Sequence, residues 1–141
     1  MYEGACLCGG VRFELTPPSR FCAHCHCQNC RRAHGAAFVT WAGFPEGQWR
    51  IAAGEDLLER YVTDTGATRS FCSRCGSTLF YEGPRWPGEL HVALANVTDE
   101  IDRAPSAHVY VDHGARWWKI TGSEPRFGGK TGMEARDPES E

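Results

Sequence analysis

Cysteine spacing constrains this sequence more than any other feature, because its eight cysteines fall into three short groups. The first group is Cys6 and Cys8, the middle group is the stretch CAHCHCQNC, and the last is Cys72 and Cys75. A disulfide across a single residue is strained, whereas thiolates at these spacings can share one metal ion. The pattern therefore predicts metal binding rather than disulfides.

The first and last groups together predict a structural zinc site. Cys6 and Cys8 supply two thiolates early in the chain, and Cys72 and Cys75 supply two more much later. Four thiolates complete the tetrahedral shell of zinc. A glycine follows each pair, in LCGG and RCGS, and gives a metal-binding turn the backbone freedom it needs. We expect this site to hold distant segments together.

The middle group determines whether a second zinc site is closed or open. If all four of its cysteines bind, the site is closed and only holds the fold. If the stretch runs as a strand, alternation puts Cys25 and Cys27 on one face and Cys22 on the other. Cys30, from the helical turn that follows, then completes a three-thiolate site. Such a site leaves a fourth position for water or substrate, which is typical of catalytic zinc, and both alternatives remain open.

Charged and aromatic neighbours add few catalytic candidates beyond the cysteines. Three thiolates on a dication leave one net negative charge, so an anionic substrate needs positive charge nearby. Arg31 and Arg32 follow the middle group and are candidates for binding substrate carboxylates. His24 and His26 have the opposite strand parity to Cys25, which disfavours a role for them at this zinc. The other residues are predicted to pack or to hydrogen-bond: Trp41, Trp49, Trp86, Trp117, Trp118, His91, His108 and His113.

The remaining sequence predicts one mainly β domain over residues 1–127. Segments rich in β-branched and aromatic residues alternate with Gly- and Pro-containing turns. One short helix should begin at Gln28 or Asn29 and end near Gly35. Residues 128–141 have almost no apolar content and are predicted to be disordered. The predicted strands are 11–15, 36–44, 49–52, 58–63, 78–82, 89–97 and 107–112.

Charge and hydropathy argue against several classes of partner. The net charge of −3 provides no basic surface for nucleic acid. No apolar run approaches the roughly 20 residues of a membrane-spanning helix, and the first residues do not have the pattern of a signal peptide. We expect a soluble cytoplasmic protein whose partners are small molecules. The sequence makes no prediction of oligomeric state.

The sequence contains three motifs in a fixed order, which are a CxC followed by glycine, then CHCxxCRR, then FCxxCG. With these motifs it resembles the glutathione-dependent formaldehyde-activating enzymes, which are grouped with relatives of centromere protein V. The resemblance runs from GACLCGGVRFEL to HVYVDHGARWW and includes a closing PRF. It implies a β-tent fold of zinc-stapled antiparallel sheets with two zinc ions. The implied ligands are Cys6, Cys8, Cys72 and Cys75 for the structural zinc, and Cys25, Cys27 and Cys30 for the second.

The resemblance also implies an activity at the second zinc. It is that of a carbon–sulfur lyase or glutathione adduct synthase, which reversibly joins the thiol of the co-substrate glutathione to formaldehyde and gives S-(hydroxymethyl)glutathione. Two alternatives remain. The chain is a non-catalytic zinc-stabilised binding module if both sites are closed. It is a thiol or metal sensor if oxidation of the three-cysteine site releases zinc.

Overall fold

The computed structural model of this 141-residue chain describes residues 1–136. Within them it contains twelve short strands, one α-helix and three single-turn 3-10 helices. The strands are β1 (Tyr2–Ala5), β2 (Arg12–Leu15), β3 (Phe21–Cys25), β4 (Val39–Pro45), β5 (Trp49–Ala53), β6 (Leu58–Val62), β7 (Thr68–Cys72), β8 (Thr78–Glu82), β9 (Glu89–Ala93), β10 (His108–Val109), β11 (Arg126–Gly128) and β12 (Glu134–Arg136). The helices are α1 (Gln28–His34) and the 3-10 turns Glu55–Leu57, Leu94–Asn96 and Val111–His113.

The predicted fold class, mainly β with short helical turns, is confirmed. Each predicted strand has a counterpart, although the last two are shorter than expected. The chain turns into 3-10 helices after Ala93 and after Tyr110, so the hydrophobic pattern continues there without a strand. No helix within residues 1–136 has the length and apolar character needed to cross a bilayer.

One compact unit comprises Met1–Phe21 and Ala42–Arg103. It contains the antiparallel sheet β1-β2-β5 and the antiparallel run β6-β7-β8-β9. Phe13 of β2 packs edge-on against Phe80 of β8, with ring centroids 5.1 Å apart, and this contact joins the two sheets. A side chain at position 4 would overlap the ring of Phe13, so only glycine at this position leaves room for the ring.

The other compact unit comprises Cys22–Trp41 and the chain from Ala104 onward. Its strand β10 pairs in parallel with both β3 and β11, and β12 pairs antiparallel with β11. Helix α1 follows β3 directly and begins and ends where the sequence predicts. Gly35 ends it in the left-handed conformation, at φ 61°, and donates its amide hydrogen to the carbonyl of Arg31.

The segment after residue 127 is more ordered than its composition predicts. Gly128 ends β11, and Glu134–Arg136 forms β12. The carboxylate of Asp112 accepts hydrogen bonds from Gly129 N (2.8 Å) and Arg136 Nη2 (3.0 Å). The Arg136 guanidinium lowers the pKa of Asp112 to about 2. Polar contacts hold this segment, and hydropathy does not detect them. Residues 137–141 of the predicted tail lie outside the described residues, and the domain range 1–127 stays a prediction.

Candidate metal centres

Four cysteines of the first unit form one sulfur cluster. The sulfurs of Cys6, Cys8, Cys72 and Cys75, here called the four-cysteine cluster, all lie within 4.8 Å of one another. Cys8 Sγ is 3.5 Å from Cys6 Sγ and 3.8 Å from Cys72 Sγ. Zinc–sulfur bonds of about 2.3 Å in a tetrahedron give sulfur–sulfur edges of about 3.8 Å. All eight cysteines are described, and none forms a disulfide. The donor set therefore fits a zinc ion.

Donors around the four-cysteine cluster favour ionised sulfur. Val11 N donates to Cys6 Sγ at 3.3 Å, and Arg74 Nε donates to Cys8 Sγ at 3.3 Å. The backbone amide of Gly10 and then the Arg74 guanidinium lower the pKa of Cys8. Such donors stabilise thiolates, which are the form of cysteine that ligates zinc.

Three cysteines of the second unit form a separate group. The sulfurs of Cys25, Cys27 and Cys30, here called the three-cysteine cluster, lie within 4.8 Å of one another. Within residues 1–136, no fourth cysteine, histidine or carboxylate joins this group. Strand β3 ends at Cys25, two residues before the end of the strand that the parity argument assumed. Cys27 comes into position as the residue that caps α1, and Cys30 as the third helical residue.

Hydrogen bonds to sulfur also surround the three-cysteine cluster. Cys30 N donates to Cys27 Sγ at 3.2 Å, and Trp41 Nε1 donates to Cys30 Sγ at 3.4 Å. The pKa of Cys25 is raised by hydrogen bonding with Cys27 and Cys30 and by burial. Three thiols this close, of which Cys25 and Cys30 are buried, can ionise together only beside a cation. The donor set thus fits a zinc ion with three protein ligands.

Cys22 stands apart from both clusters. It is fully buried at 0% exposure, and its carbonyl accepts a hydrogen bond from Ser106 N at 3.0 Å. Cys22 and Cys25 are three residues apart in β3, so alternation points their side chains to opposite faces. The structure brings the three predicted sulfurs together without Cys22.

The two predicted arginines line a cavity of about 270 Å³ beside helix α1. Arg31 Nη1 donates to the carbonyl of His113 at 2.7 Å, which fixes the guanidinium. Its Nε is buried and has no hydrogen-bond partner in the part of the chain that the structure describes. Arg32 is exposed at the same cavity. A larger cavity, of about 450 Å³, lies in the other unit and has no cysteine in its lining.

Sequence reasoning missed two tryptophans near these groups. Trp41 contacts Cys30 as described, and Trp117 lines the cavity of Arg31 and Arg32 while 72% exposed. The sequence predicts packing for all five tryptophans. Trp41 departs from that prediction because its indole donates to a sulfur, and Trp117 departs from it because its indole is exposed to solvent. Neither property has a local sequence signal.

Residues 1–113 match the family model described as "Glutathione-dependent formaldehyde-activating enzyme". The chain belongs to this family. The predicted membership of the formaldehyde-activating family is thereby confirmed. This member of the family has two cysteine clusters whose donor sets fit zinc.

Two curated relatives and a solved structure are similar to this member of the formaldehyde-activating family. A Halomonas elongata protein named "Putative glutathione-dependent formaldehyde-activating enzyme" is 28% identical over 131 residues, which cover 88% of this chain and 83% of the relative. A Schizosaccharomyces pombe protein named an uncharacterized lyase is 30% identical over 82 residues, which cover 57% of this chain and 56% of the relative. The crystal structure of a Rhodobacter sphaeroides protein is 28% identical, with a TM-score of 0.61, over 72% of this chain and 92% of that chain.

Proposed function

We propose that the protein is a zinc-dependent carbon–sulfur lyase of the formaldehyde-activating type, acting on glutathione and formaldehyde. The observation that carries the proposal is the three-cysteine cluster at the start of α1, whose next turn brings Arg31 and Arg32 to a cavity. In this proposal the chain holds two zinc ions. The four-cysteine cluster holds the structural ion, and the three-cysteine cluster holds the ion at which the substrate thiol binds.

The division of roles rests on the number of sulfurs in each cluster. Four thiolates saturate zinc, whereas three leave a position for an incoming ligand. A zinc ion held by three cysteines supplies a positive centre that lowers the pKa of a substrate thiol. The substrate thiol would take that open position without displacing a protein sulfur, while N–H donors hold Cys27 Sγ and Cys30 Sγ in place.

Arg31 and Arg32 bind the carboxylates of glutathione in this proposal. Arg31 lies one helical turn after Cys27, which is about 6 Å along the axis at about 1.5 Å per residue. Its guanidinium is held by His113 O and lines the cavity, so a carboxylate bound there can accept from a donor that is already in position. Trp117 offers an exposed indole face against the aliphatic part of a bound tripeptide.

The chemistry is reversible addition of a thiol to a carbonyl. The glutathione sulfur loses its proton and forms a bond to the carbonyl carbon of formaldehyde. The π electrons move to the carbonyl oxygen, which takes up one proton, so the product is S-(hydroxymethyl)glutathione. The reverse reaction cleaves the carbon–sulfur bond and regenerates the thiol. The chain's part is to hold the thiol and the carboxylates in one orientation.

The test is to measure by NMR, at equilibrium, the rate at which free glutathione and formaldehyde exchange with S-(hydroxymethyl)glutathione. We expect the wild-type protein to accelerate exchange above the spontaneous rate and Cys25→Ser to lose the acceleration. Arg31→Gln should raise KM for glutathione about tenfold, which corresponds to about 1.4 kcal/mol for one charge-assisted hydrogen bond. Arg116→Gln is the matched control, because Arg116 is exposed next to Trp117 but does not line the cavity.

Zinc X-ray absorption separates this proposal from a closed site. Without glutathione, the two zinc ions should average fewer than four sulfurs each, and glutathione should raise that average. Four sulfurs at both ions from the start, together with no acceleration of exchange, would contradict the enzyme proposal and leave a zinc-stabilised binding module.

A further inference from the structure

Two neighbouring strands of the second unit and the segment before a third bring two histidines and a glutamate together. His24 lies in β3, and the parallel strand β10 places His108 directly opposite it, with ring centroids 4.8 Å apart. Glu124 lies two residues before Arg126, the partner of His108 in β11. One ligand atom from each of His24, His108 and Glu124 lies within 4.8 Å of the other two. Strand register brings the two histidines together, and the segment that leads into β11 adds Glu124.

Each imidazole of this group is oriented through one ring nitrogen. His24 Nδ1 is 2.8 Å from the hydroxyl of Thr40, and His108 Nδ1 is 2.9 Å from His26 Nε2. His108 is only 4% exposed, and among the described residues its Nε2 is buried without a hydrogen-bond partner. Buried polar nitrogens are nearly always partnered, so this nitrogen requires an explanation.

A bound metal ion explains both the orientation and the unpartnered nitrogen. Histidines that ligate metals characteristically bond their second ring nitrogen to a neighbouring group, which fixes the ring. Two imidazoles and one carboxylate select divalent transition metals such as zinc, iron or cobalt over calcium and magnesium, which prefer oxygen alone. Glu124 Oε2 accepts a hydrogen bond from Ser123 N at 3.2 Å, which leaves its other oxygen for an ion.

This group is separate from the three-cysteine cluster. His24 and Cys25 are consecutive in β3, so their side chains point to opposite faces of the strand. The parity that disfavours His24 as a ligand beside Cys25 therefore directs it to this group. We propose that His24, His108 and Glu124 form a third metal site, which binds a divalent transition-metal ion through two nitrogens and one carboxylate.

The test is a Co²⁺ titration of the full-length protein that has first been stripped of metal and reloaded with two equivalents of zinc per chain, enough to fill the two cysteine clusters only. Zinc occupies thiolate sites tightly, so cobalt reports sites without sulfur. We expect the wild-type protein to retain one Co²⁺ per chain with its zinc content unchanged. The cobalt spectrum should have weak d–d bands and no sulfur-to-metal charge transfer. Metal content is measured by mass spectrometry, so the readout does not depend on enzymatic activity.

Variants assign the cobalt to this group. Glu124→Gln keeps the size of a partly exposed side chain and should weaken cobalt binding at least tenfold without altering the circular dichroism spectrum. His108→Gln should abolish binding, but it replaces a buried ring, so Glu124→Gln is the decisive variant. Glu59→Gln and His113→Gln are matched controls at exposed positions and should bind like the wild type. No cobalt uptake by the wild-type protein, or equal uptake by Glu124→Gln, would overturn the proposal and leave a hydrogen-bonded histidine cluster only.

Discussion

At the residue scale, the three-cysteine cluster depends on side chains that do not bind metal themselves. Trp41 follows Cys30 by eleven residues and donates its indole hydrogen to that sulfur at 3.4 Å. A donor in this position lowers the negative charge that a thiolate presents and holds the sulfur in one direction. The indole is buried, so water cannot replace it as the donor. Trp41 therefore belongs to the proposed zinc site as the residue that orients the sulfur of Cys30.

Trp41→Phe tests this dependence. We expect zinc affinity at the three-cysteine cluster to fall about tenfold, the lower limit for loss of an outer hydrogen bond to a ligand. Phenylalanine keeps a buried aromatic ring, so the fold should persist. A chelating dye measures zinc release from the wild type, from Trp41→Phe and from the control Trp49→Phe, whose tryptophan lies in β5. Equal affinity in all three proteins would show that the indole hydrogen bond is dispensable.

At the element scale, α1 is too short to be stable without its caps. A helix of seven residues is far below the roughly 12–15 residues at which isolated helices become marginal. Cys27 accepts a hydrogen bond from Cys30 N at one end, and Gly35 takes the left-handed conformation at the other. These two residues fix where the helix begins and ends, and so fix the positions of Cys30 and Arg31.

Gly35→Ala is expected to destabilise the protein by about 1 kcal/mol, because alanine is strained at positive φ. An added Cβ at Gly35 meets nothing within 4 Å, so the cost is purely conformational. In a chain of this size the melting temperature should fall by about 3–5 °C. The melting temperature of Gly35→Asn should fall less, since asparagine tolerates this conformation. Circular dichroism melts at fixed zinc concentration measure both, and equal losses for the two variants would contradict the conformational explanation.

Local signals predict some of these elements and fail for others. The glycine at position 35 predicts α1 well, because capping is local chemistry. Strand β7 lies between Thr68 and Cys72 and is not predicted, since polar Arg69 and Ser70 are buried there through tertiary contacts. Strand β12 is not predicted because the ion pair of Asp112 and Arg136 joins residues 24 positions apart.

At the scale of the whole molecule, each compact unit contains one cysteine cluster. The four-cysteine cluster joins distant residues, since Cys8 and Cys72 are 64 positions apart in the sequence. Spacing predicts the four sulfurs that meet in this cluster, because the ligands of structural zinc typically come in short local pairs. The contacts of Arg31 with His113 and of His108 with His24 depend on the complete fold, so spacing does not reveal them.

Cys72→Ser and Cys30→Ser should differ sharply. Structural zinc contributes about 10 kcal/mol or more to folding, which is comparable to the entire stability of a domain. We therefore expect Cys72→Ser to leave little soluble folded protein. Cys30→Ser should stay folded and lose one zinc per chain in the proposed two-zinc protein.

Cys22→Ser is the matched control for zinc content, since Cys22 lies in neither cluster. It should keep both ions. Zinc per chain is measured in the soluble fraction. A soluble, normally melting Cys72→Ser protein, or a Cys22→Ser protein that has lost an ion, would contradict the assignment of the two clusters.

The position of Cys27 gives one substitution an unusual use. Cys27 is both a sulfur of the three-cysteine cluster and the residue whose side chain accepts the hydrogen bond that starts α1. Serine is among the best residues for the second task and cannot perform the first at zinc. Cys27→Ser thus separates ligation from helix initiation. Under the proposed function, we expect this variant to be inactive while the helix stays intact and Arg31 and Arg32 still bind the carboxylates of the substrate.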